Sequence, residues 1–329
     1  MAERRQRTTG RRSAARGSVL DQRAAQPLAS TNGAQGRGGD RIGIRKTYKL
    51  YIGGAFPRTE SGRAYEVFGA KGELLANASR GTRKDVREAV RAARKAFPGW
   101  AAKTAYNRSQ ILYRIAELME GRRDQFLAEV MAAEGLSRTR AARNVDAAID
   151  RWVWYAGWAD KYPQMIGTVN PVAGSYFNFS VPEPTGVVGM IAPESSSLLG
   201  LVSRLAPIIV SGNAAVVISS ETRPLAAVTL TEVLATSDVP GGVVNLITGL
   251  RRELVGHLAG HMDVNALDAF GTAPDEAARL EEIAVENVKR FVRPPLSLDR
   301  YDWLSDGAQS PYLIGEFVEI KTVWHPIGA

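Results

Sequence analysis

Apolar residues recur along this chain with two distinct periods, and the change from one to the other divides it. Tyr48-Lys-Leu-Tyr-Ile-Gly-Gly alternates apolar and polar positions and runs into a Gly-Gly turn, so it predicts a strand. Helical spacing follows. Thr82 stands as an N-cap before Lys84–Ala96, where Val86, Val90 and Ala93 share a face. Asn107–Gly121 carries Ile111, Leu112, Ile115, Leu118 and Met119 on one stripe, an amphipathic helix, and Gln125–Ala133 continues in the same style. Ala141–Tyr162 predicts a further long helix bearing Trp152, Tyr155, Trp158 and Tyr162. At helical spacing such aromatics point to core or interface packing ahead of a ligand box.

Beyond Gly186 short apolar runs alternate with helical segments. Strands are predicted at Val187–Ile191, Ala214–Ile218, Val243–Ile247 and Val264–Phe270. Helices are predicted at Leu198–Ser211, Pro224–Thr236, Glu253–Ala259 and Ala273–Val285. This alternation gives an α/β class: a parallel sheet with helices on its faces, whose ligand crevice lies beyond the carboxyl ends of the strands. Pro294-Pro295 breaks the rhythm, Leu296–Pro311 is polar and turn-rich, and Glu316–Trp324 alternates again as a terminal strand with few partners in its own neighbourhood.

Charge alters the picture only at the start. Residues 1–46 hold eleven basic side chains against three acidic ones, which accounts for the whole net charge of +8 and leaves the remainder balanced. Residues 1–44 are Arg-, Gly-, Ala- and Ser-rich with almost no large apolar side chains, and are expected to be a disordered basic arm. That arm is the one feature through which nucleic acid or an acidic surface would be met, although no aromatics interleave its arginines. The chain contains no cysteine, which excludes disulfides, thiolate nucleophiles and Cys-ligated metals. Of three histidines, His257 and His261 are four apart and read as a surface pair near a helix end, since no HExxH-type carboxylate accompanies them. No metal site is assigned. With no long apolar run and no leader pattern, a cytoplasmic protein that does not span a membrane is expected.

Several separate motifs then resemble one family in its own order. Leu50-Tyr-Ile-Gly-Gly, Ala89-Val-Arg-Ala-Ala-Arg-Lys-Ala-Phe, Tyr155-Ala-Gly-Trp-Ala-Asp-Lys-Tyr and Glu183-Pro-Thr-Gly-Val-Val-Gly-Met-Ile-Ala-Pro resemble the N-terminal part of aldehyde dehydrogenases. Gly212-Asn213 before a strand, Pro240-Gly-Gly-Val-Val-Asn-Leu-Ile-Thr-Gly, and the closing Val318-Glu-Ile-Lys-Thr-Val are similar to the family's cofactor domain and oligomerisation flap. The resemblance implies a Rossmann-like domain at residues 45–293, with flap strands near 48–54 and 176–183. It further implies a linker at 294–313 in place of the catalytic domain, and a terminal oligomerisation strand at 314–329.

The departures from the family carry the functional expectation. Where the family has Trp-Asn-Phe-Pro, whose Asn stabilises an oxyanion, this chain reads Glu194-Ser195-Ser196-Ser197. A carboxylate there opposes a developing negative charge, and the serines read as caps of the following helix. Ile218 stands at the place of the family's cofactor-contacting Lys, whereas Glu221, aligned with the residue that takes the adenosine ribose, is retained. Phe270-Gly271-Thr272 keeps one glycine of the phosphate turn, but Asp275 and Glu276 follow in the next helix's first turn and compete for the same field. Pro294 takes the place of the catalytic Glu, and the domain bearing the nucleophilic Cys is skipped. The resemblance therefore implies no catalytic residues and a vestigial cofactor site at Pro193, Glu221 and Gly271. No cofactor is expected, or at most weak NAD binding. The layout is similar to the non-catalytic half of family-16 aldehyde dehydrogenases. The expected role is a structural or regulatory subunit, joined to a complete aldehyde dehydrogenase or to itself through the strand Val318–Trp324. The rival readings are a residual NAD(P)-linked oxidoreductase with rebuilt chemistry at Ser195–Ser197, and a binding module run by the basic arm.

Overall fold

Val187–Ile191 (β6) and Ala214–Ile218 (β7) are buried at every position, and alternate side chains on each explain why. Val187, Ile191, Ala214, Val216 and Ile218 point into one apolar core, and Val188, Met190, Ala215 and Val217 into another. A strand covered on both faces must be apolar throughout. In this computed structural model, which describes residues 46–328, β6 and β7 are central to a five-stranded parallel sheet. Val244–Ile247 (β8), Ala266–Asp268 (β9) and Arg290–Val292 (β10) complete it, in the order β10-β9-β6-β7-β8.

Helices cover both faces, as the strand–helix alternation predicts. Arg83–Ala101 (α1), Arg251–Ala259 (α8) and Pro274–Ala284 (α9) enclose the smaller core. On the other face lie Leu199–Val210 (α6) and Leu225–Leu234 (α7), backed by Ala105–Glu120 (α2), Arg123–Glu134 (α3) and Arg138–Ala156 (α4). All residues of α6 are buried, the pattern of a helix packed on every side. The expected cap of α1 forms in full: Thr82 accepts from the Asp85 N–H while the Asp85 carboxylate accepts from the Thr82 N–H.

The aromatic stripe belongs to the core, with Trp152 and Tyr155 wholly buried and Tyr162 nearly so. Its helix is shorter than expected. It stops at Ala156, capped by Gly157, and after a turn Tyr162–Ile166 (α5) begins separately.

Ala64–Phe68 (β2) and Leu74–Ser79 (β3), which the periodicity did not reveal, form a second sheet with Thr47–Tyr48 (β1) in the order β1-β3-β2. The expectation that 48–54 is a flap strand is corrected here. Tyr48 pairs with Ala78 in β3, and Tyr51 bridges Leu246 at the edge of the parallel sheet. Leu50 and Tyr51 are both buried, so this segment seals the main body and is not available to a flap.

The segments expected as flap strands at 176–183 and 314–329 pair with each other in a third sheet, termed the flap, made of Thr168–Asn170 (β4), Tyr176–Pro184 (β5) and Val318–Pro326 (β11), in the order β11-β5-β4. The partner of the terminal strand therefore lies far back in the chain. β11 pairs antiparallel with β5 over its whole length, from Val318 opposite Pro184 to Pro326 opposite Tyr176.

The segment expected as a linker, 294–313, is packed against the body. Trp303 and Ala308 are buried, and Tyr301 and Leu298 pack on the larger core. Its composition reads as polar, but a few large side chains anchor it. The basic arm 1–44 lies outside the described residues. No helix among those described is long and apolar enough to cross a membrane.

Candidate functional site

Chain order and strand order part company between β6 and β9. The chain steps outward through β7 and β8, then returns to the other side of β6 to lay down β9 and β10. In open parallel sheets this reversal splays the loops leaving neighbouring strands and opens a ligand crevice at their carboxyl ends. The expected cofactor residues sit there: Pro193 follows β6, Glu221 follows β7 and Gly271 follows β9.

The loops do not splay. A Cβ on Gly271 would fall on the Ile191 carbonyl and the Ala192–Pro193 peptide, so the chain leaving β9 lies directly on the chain leaving β6. Arg251, the first residue of α8, ties them together. Its guanidinium donates to the carbonyl of Gly271 at 3.1 Å and to that of Ala192, and lies 2.8 Å from the Glu194 carboxylate. Its backbone N–H donates to Glu221 at 2.7 Å. The three expected residues thus converge, but on a side chain that the sequence reading did not single out.

Glu194 completes the arrangement. Its carboxylate accepts from Ser220 Oγ (2.5 Å), the Glu221 N–H (2.7 Å), the Thr222 N–H (3.3 Å) and Thr222 Oγ1 (2.8 Å). Arg223 donates to the Glu194 carbonyl at 3.1 Å. Burial works to raise the Glu194 carboxyl, but the Arg251 charge and the donors of Ser220, Glu221 and Thr222 outweigh it and hold it below the usual carboxylate value. A turn of converging N–H and O–H groups is an anion receptor, and the anion seated in it is the chain's own.

The neighbouring serines are engaged locally. Ser196 Oγ accepts from the Gly200 N–H at 2.9 Å, a donor of the first turn of α6, although the N-cap position itself is Leu198 and not one of the expected serines. Ser197 donates through both N–H and Oγ to Glu134 at the end of α3. Ser195 is exposed. No histidine adjoins them, since His257 lies near the opposite end of α8 from Arg251, His261 beyond that helix, and His325 on β11. Ile218, at the place of the family's Lys, is wholly buried in the smaller core. Asp275 and Glu276 occupy the first turn of α9, where they complement the helix dipole themselves. Among the described residues no cluster of three His, Cys, Asp or Glu could hold a metal ion.

On the larger-core side the crevice is roofed by the packed segment after β10. Phe270, Tyr301 and Trp303 form a mutual aromatic cluster with ring centroids 4.7 to 5.5 Å apart. A Cβ on Gly200 would meet both Trp303 and Pro193 within about 3.2 Å, so the indole and the β6 loop both close on the first turn of α6. Arg151, from α4, donates to the Trp303 carbonyl and to Ser203 Oγ. Arg204 lies over the Phe270 ring at 4.4 Å, is held by both oxygens of buried Asp268, and pairs with Glu316 at 2.6 Å.

Comparison with known proteins agrees with these motifs and this topology. The model of the aldehyde dehydrogenase family matches residues 58–292. The chain belongs to the aldehyde dehydrogenase family. It is 32% identical to aldehyde dehydrogenase 1A1 of Gallus gallus over 296 residues, covering 85% of this chain and 55% of that protein. It is likewise 32% identical to an aldehyde dehydrogenase of Alternaria alternata over 245 residues, 73% of this chain and 48% of that one. Among solved structures, an NAD+ complex of the Bacillus cereus aldehyde dehydrogenase superposes with a TM-score of 0.71 at 26% identity, covering 75% of this chain and 50% of that one. The HpcC protein of Thermus thermophilus superposes with a TM-score of 0.70 at 29% identity, over 75% and 47% of the two chains. The chain thus spans about half the length of the aldehyde dehydrogenases it matches.

Against that family background the residues that sequence reasoning missed are Arg251, Arg204 and Trp303. One signal for Arg251 was present. Arg251-Arg252 opens a helix two residues after Gly249, where the macrodipole disfavours cations and an anion facing the guanidinium would offset that cost.

Proposed function

We propose that this aldehyde dehydrogenase homologue is a non-catalytic structural or regulatory subunit, joined through its flap to a complete aldehyde dehydrogenase or to a second copy of itself. The observation that carries the reading is the roof over the crevice. The chain passes from β10 to the flap strand through residues 293–317, and Trp303 and Tyr301 of that segment pack against Phe270, two residues beyond β9. A substrate approaching the carboxyl ends of the strands would meet packed aromatics, in a chain that holds no cysteine.

The flap supplies the means of assembly. β11 is an edge strand of nine residues, and among the described residues its outer edge pairs with no other strand. Ile320, Trp324, Tyr176, Phe177 and Val181 are all exposed on the two faces of the sheet. A nine-residue edge with free N–H and C=O groups that carries exposed Ile320 and Trp324 between Glu319, Lys321 and Thr322 is a template for strand addition, which favours a standing partner. A residual oxidoreductase working through Ser195–Ser197 has no His or Lys beside it in sequence; the group bonded to Ser197 Oγ is the carboxylate of Glu134, which also accepts from the Ser197 backbone N–H.

The test is light scattering on the full chain at tens of micromolar, alone and mixed with a complete aldehyde dehydrogenase of the same host, together with a turnover assay. The expected result is a species of at least twice the 35.6 kDa chain mass from the chain alone, or co-elution of the chain with the complete enzyme at a mass above that enzyme's own, and no aldehyde-dependent NAD reduction by the chain alone. A monomer in both samples, or turnover above background, overturns the reading.

A further inference from the structure

The strand-order reversal between β6 and β9 is where a dinucleotide would cross this sheet, and the residues present there do not fit one. Its diphosphate would need open space between the two loops and unoccupied N–H donors. Instead Gly271 lies on the Ala192–Pro193 peptide, and Arg251 bridges the carbonyls of Ala192 and Gly271. The Ser220–Thr222 donors hold the Glu194 carboxylate. Glu221, which would face a ribose, accepts from the Arg251 backbone.

We infer that the Glu194–Arg251 pair is an intramolecular latch: Glu194 is the resident anion of a preformed oxyanion receptor, Arg251 clamps the two loops, and together they exclude diphosphate-bearing dinucleotides from the crevice. Each half has a separate function. The receptor gathers four donors and a guanidinium on one carboxylate, a set that would suit a phosphate equally well. An external ligand must displace a carboxylate tethered only 26 to 28 residues from its donors. Such a tether acts as an effective concentration of millimolar or more, and where that exceeds the carboxylate's own dissociation constant for these donors by about tenfold, an external anion is weakened by about the same factor. The clamp acts on the backbone, because with the guanidinium in place the loops after β6 and β9 have no reason to part. Glu194 is about one-third exposed at its side chain, so the latch lies at the crevice mouth and is reachable from solvent.

This inference deepens the non-catalytic reading by naming what keeps a cofactor out, and its test is separate from that of assembly. Calorimetric titration of the full chain with NAD+ and with inorganic pyrophosphate is carried out on the wild type, Arg251→Gly and Glu194→Ala, each checked by thermal melting to be folded. The wild type is expected to show no saturable heat up to millimolar ligand. At least one variant is expected to gain binding by about tenfold or more: Glu194→Ala towards pyrophosphate as its receptor is vacated, Arg251→Gly towards NAD+ as the loops are released. Saturable binding of NAD+ by the wild type at micromolar concentration overturns the inference. Failure of both folded variants to bind either ligand also overturns it, since the ion pair would then not be what closes the crevice. Either failure leaves the light-scattering result on the flap untouched.

Discussion

Replacing Trp303 by alanine tests whether the segment after β10 is part of the fold or a strap laid over it. The indole is buried and packs edge-on or tilted against Phe270 and Tyr301 at centroid distances of 5.5 and 4.7 Å. Its Nε1 has no hydrogen-bond partner among the described residues, so truncation removes packing and breaks no bond. The Trp303 carbonyl, which Arg151 holds, is unaffected. A Trp→Ala change in a packed site costs about 3–5 kcal/mol, from lost burial together with the cavity left behind. The aromatic pairs supply about 0.5–1.5 kcal/mol each within that total. For a domain of this size each kcal/mol shifts the melting temperature by roughly 2–4 °C, so a fall of roughly 6–20 °C is expected. Urea unfolding followed by circular dichroism measures the change, with Leu296→Ala in the same segment as control. Leu296 is fully exposed, and its loss should matter by no more than about 0.5 kcal/mol. Limited proteolysis should also show faster cleavage within 294–310 in Trp303→Ala alone. A loss below about 1 kcal/mol, with unchanged proteolysis, would refute the idea that this segment roofs the crevice.

Other expectations follow from the same geometry. Gly271→Ala drives a methyl into the Ile191 carbonyl and should destabilise the chain by about 1–3 kcal/mol in urea unfolding; a neutral result would mean that the loops are apart in solution. Arg204→Ala strands the wholly buried Asp268 carboxylate and should cost about 3–5 kcal/mol, whereas the double change Arg204→Met with Asp268→Leu should cost less, and equal losses would argue against an ion-pair origin. The Glu194 carboxyl is held below its ordinary value of 4.5, so its contribution to stability is present above that value and is lost as pH falls through the depressed one. The difference in urea midpoint between wild type and Glu194→Gln should therefore be flat from neutrality to about pH 5 and shrink in more acid solution; a difference that grows on acidification has the wrong sign. Ile320→Lys combined with Trp324→Glu should turn any oligomer of the wild type into a folded monomer by light scattering, with a modest fall in melting temperature from loss of the Tyr176–Trp324 ring pair and of the partner.

Local pattern determined much of this protein. The five residues of β6 and of β7 follow from apolar runs of strand length between turn signals, and the helices on both faces from apolar stripes at helical spacing. The cap Thr82–Asp85 is legible for the same reason: each depends on residues within one turn of one another. Family motifs placed Pro193, Glu221 and Gly271 after three different strands, and the fold brings those loops together around Arg251. What the sequence could not decide involves partners far apart along the chain. The segment 48–54 looks like any alternating strand, and only its burial against β8 assigns it to the body and not to the flap. Leu296–Pro311 reads as a linker because its polar residues outnumber its apolar ones, yet two aromatic rings meeting Phe270 suffice to fix it. The same holds for Arg251 and Glu194. Neither residue type reveals its partner, since an ion pair is set by distance in space, and the 2.8 Å between them exists only once β6, β7 and α8 have packed around one crevice.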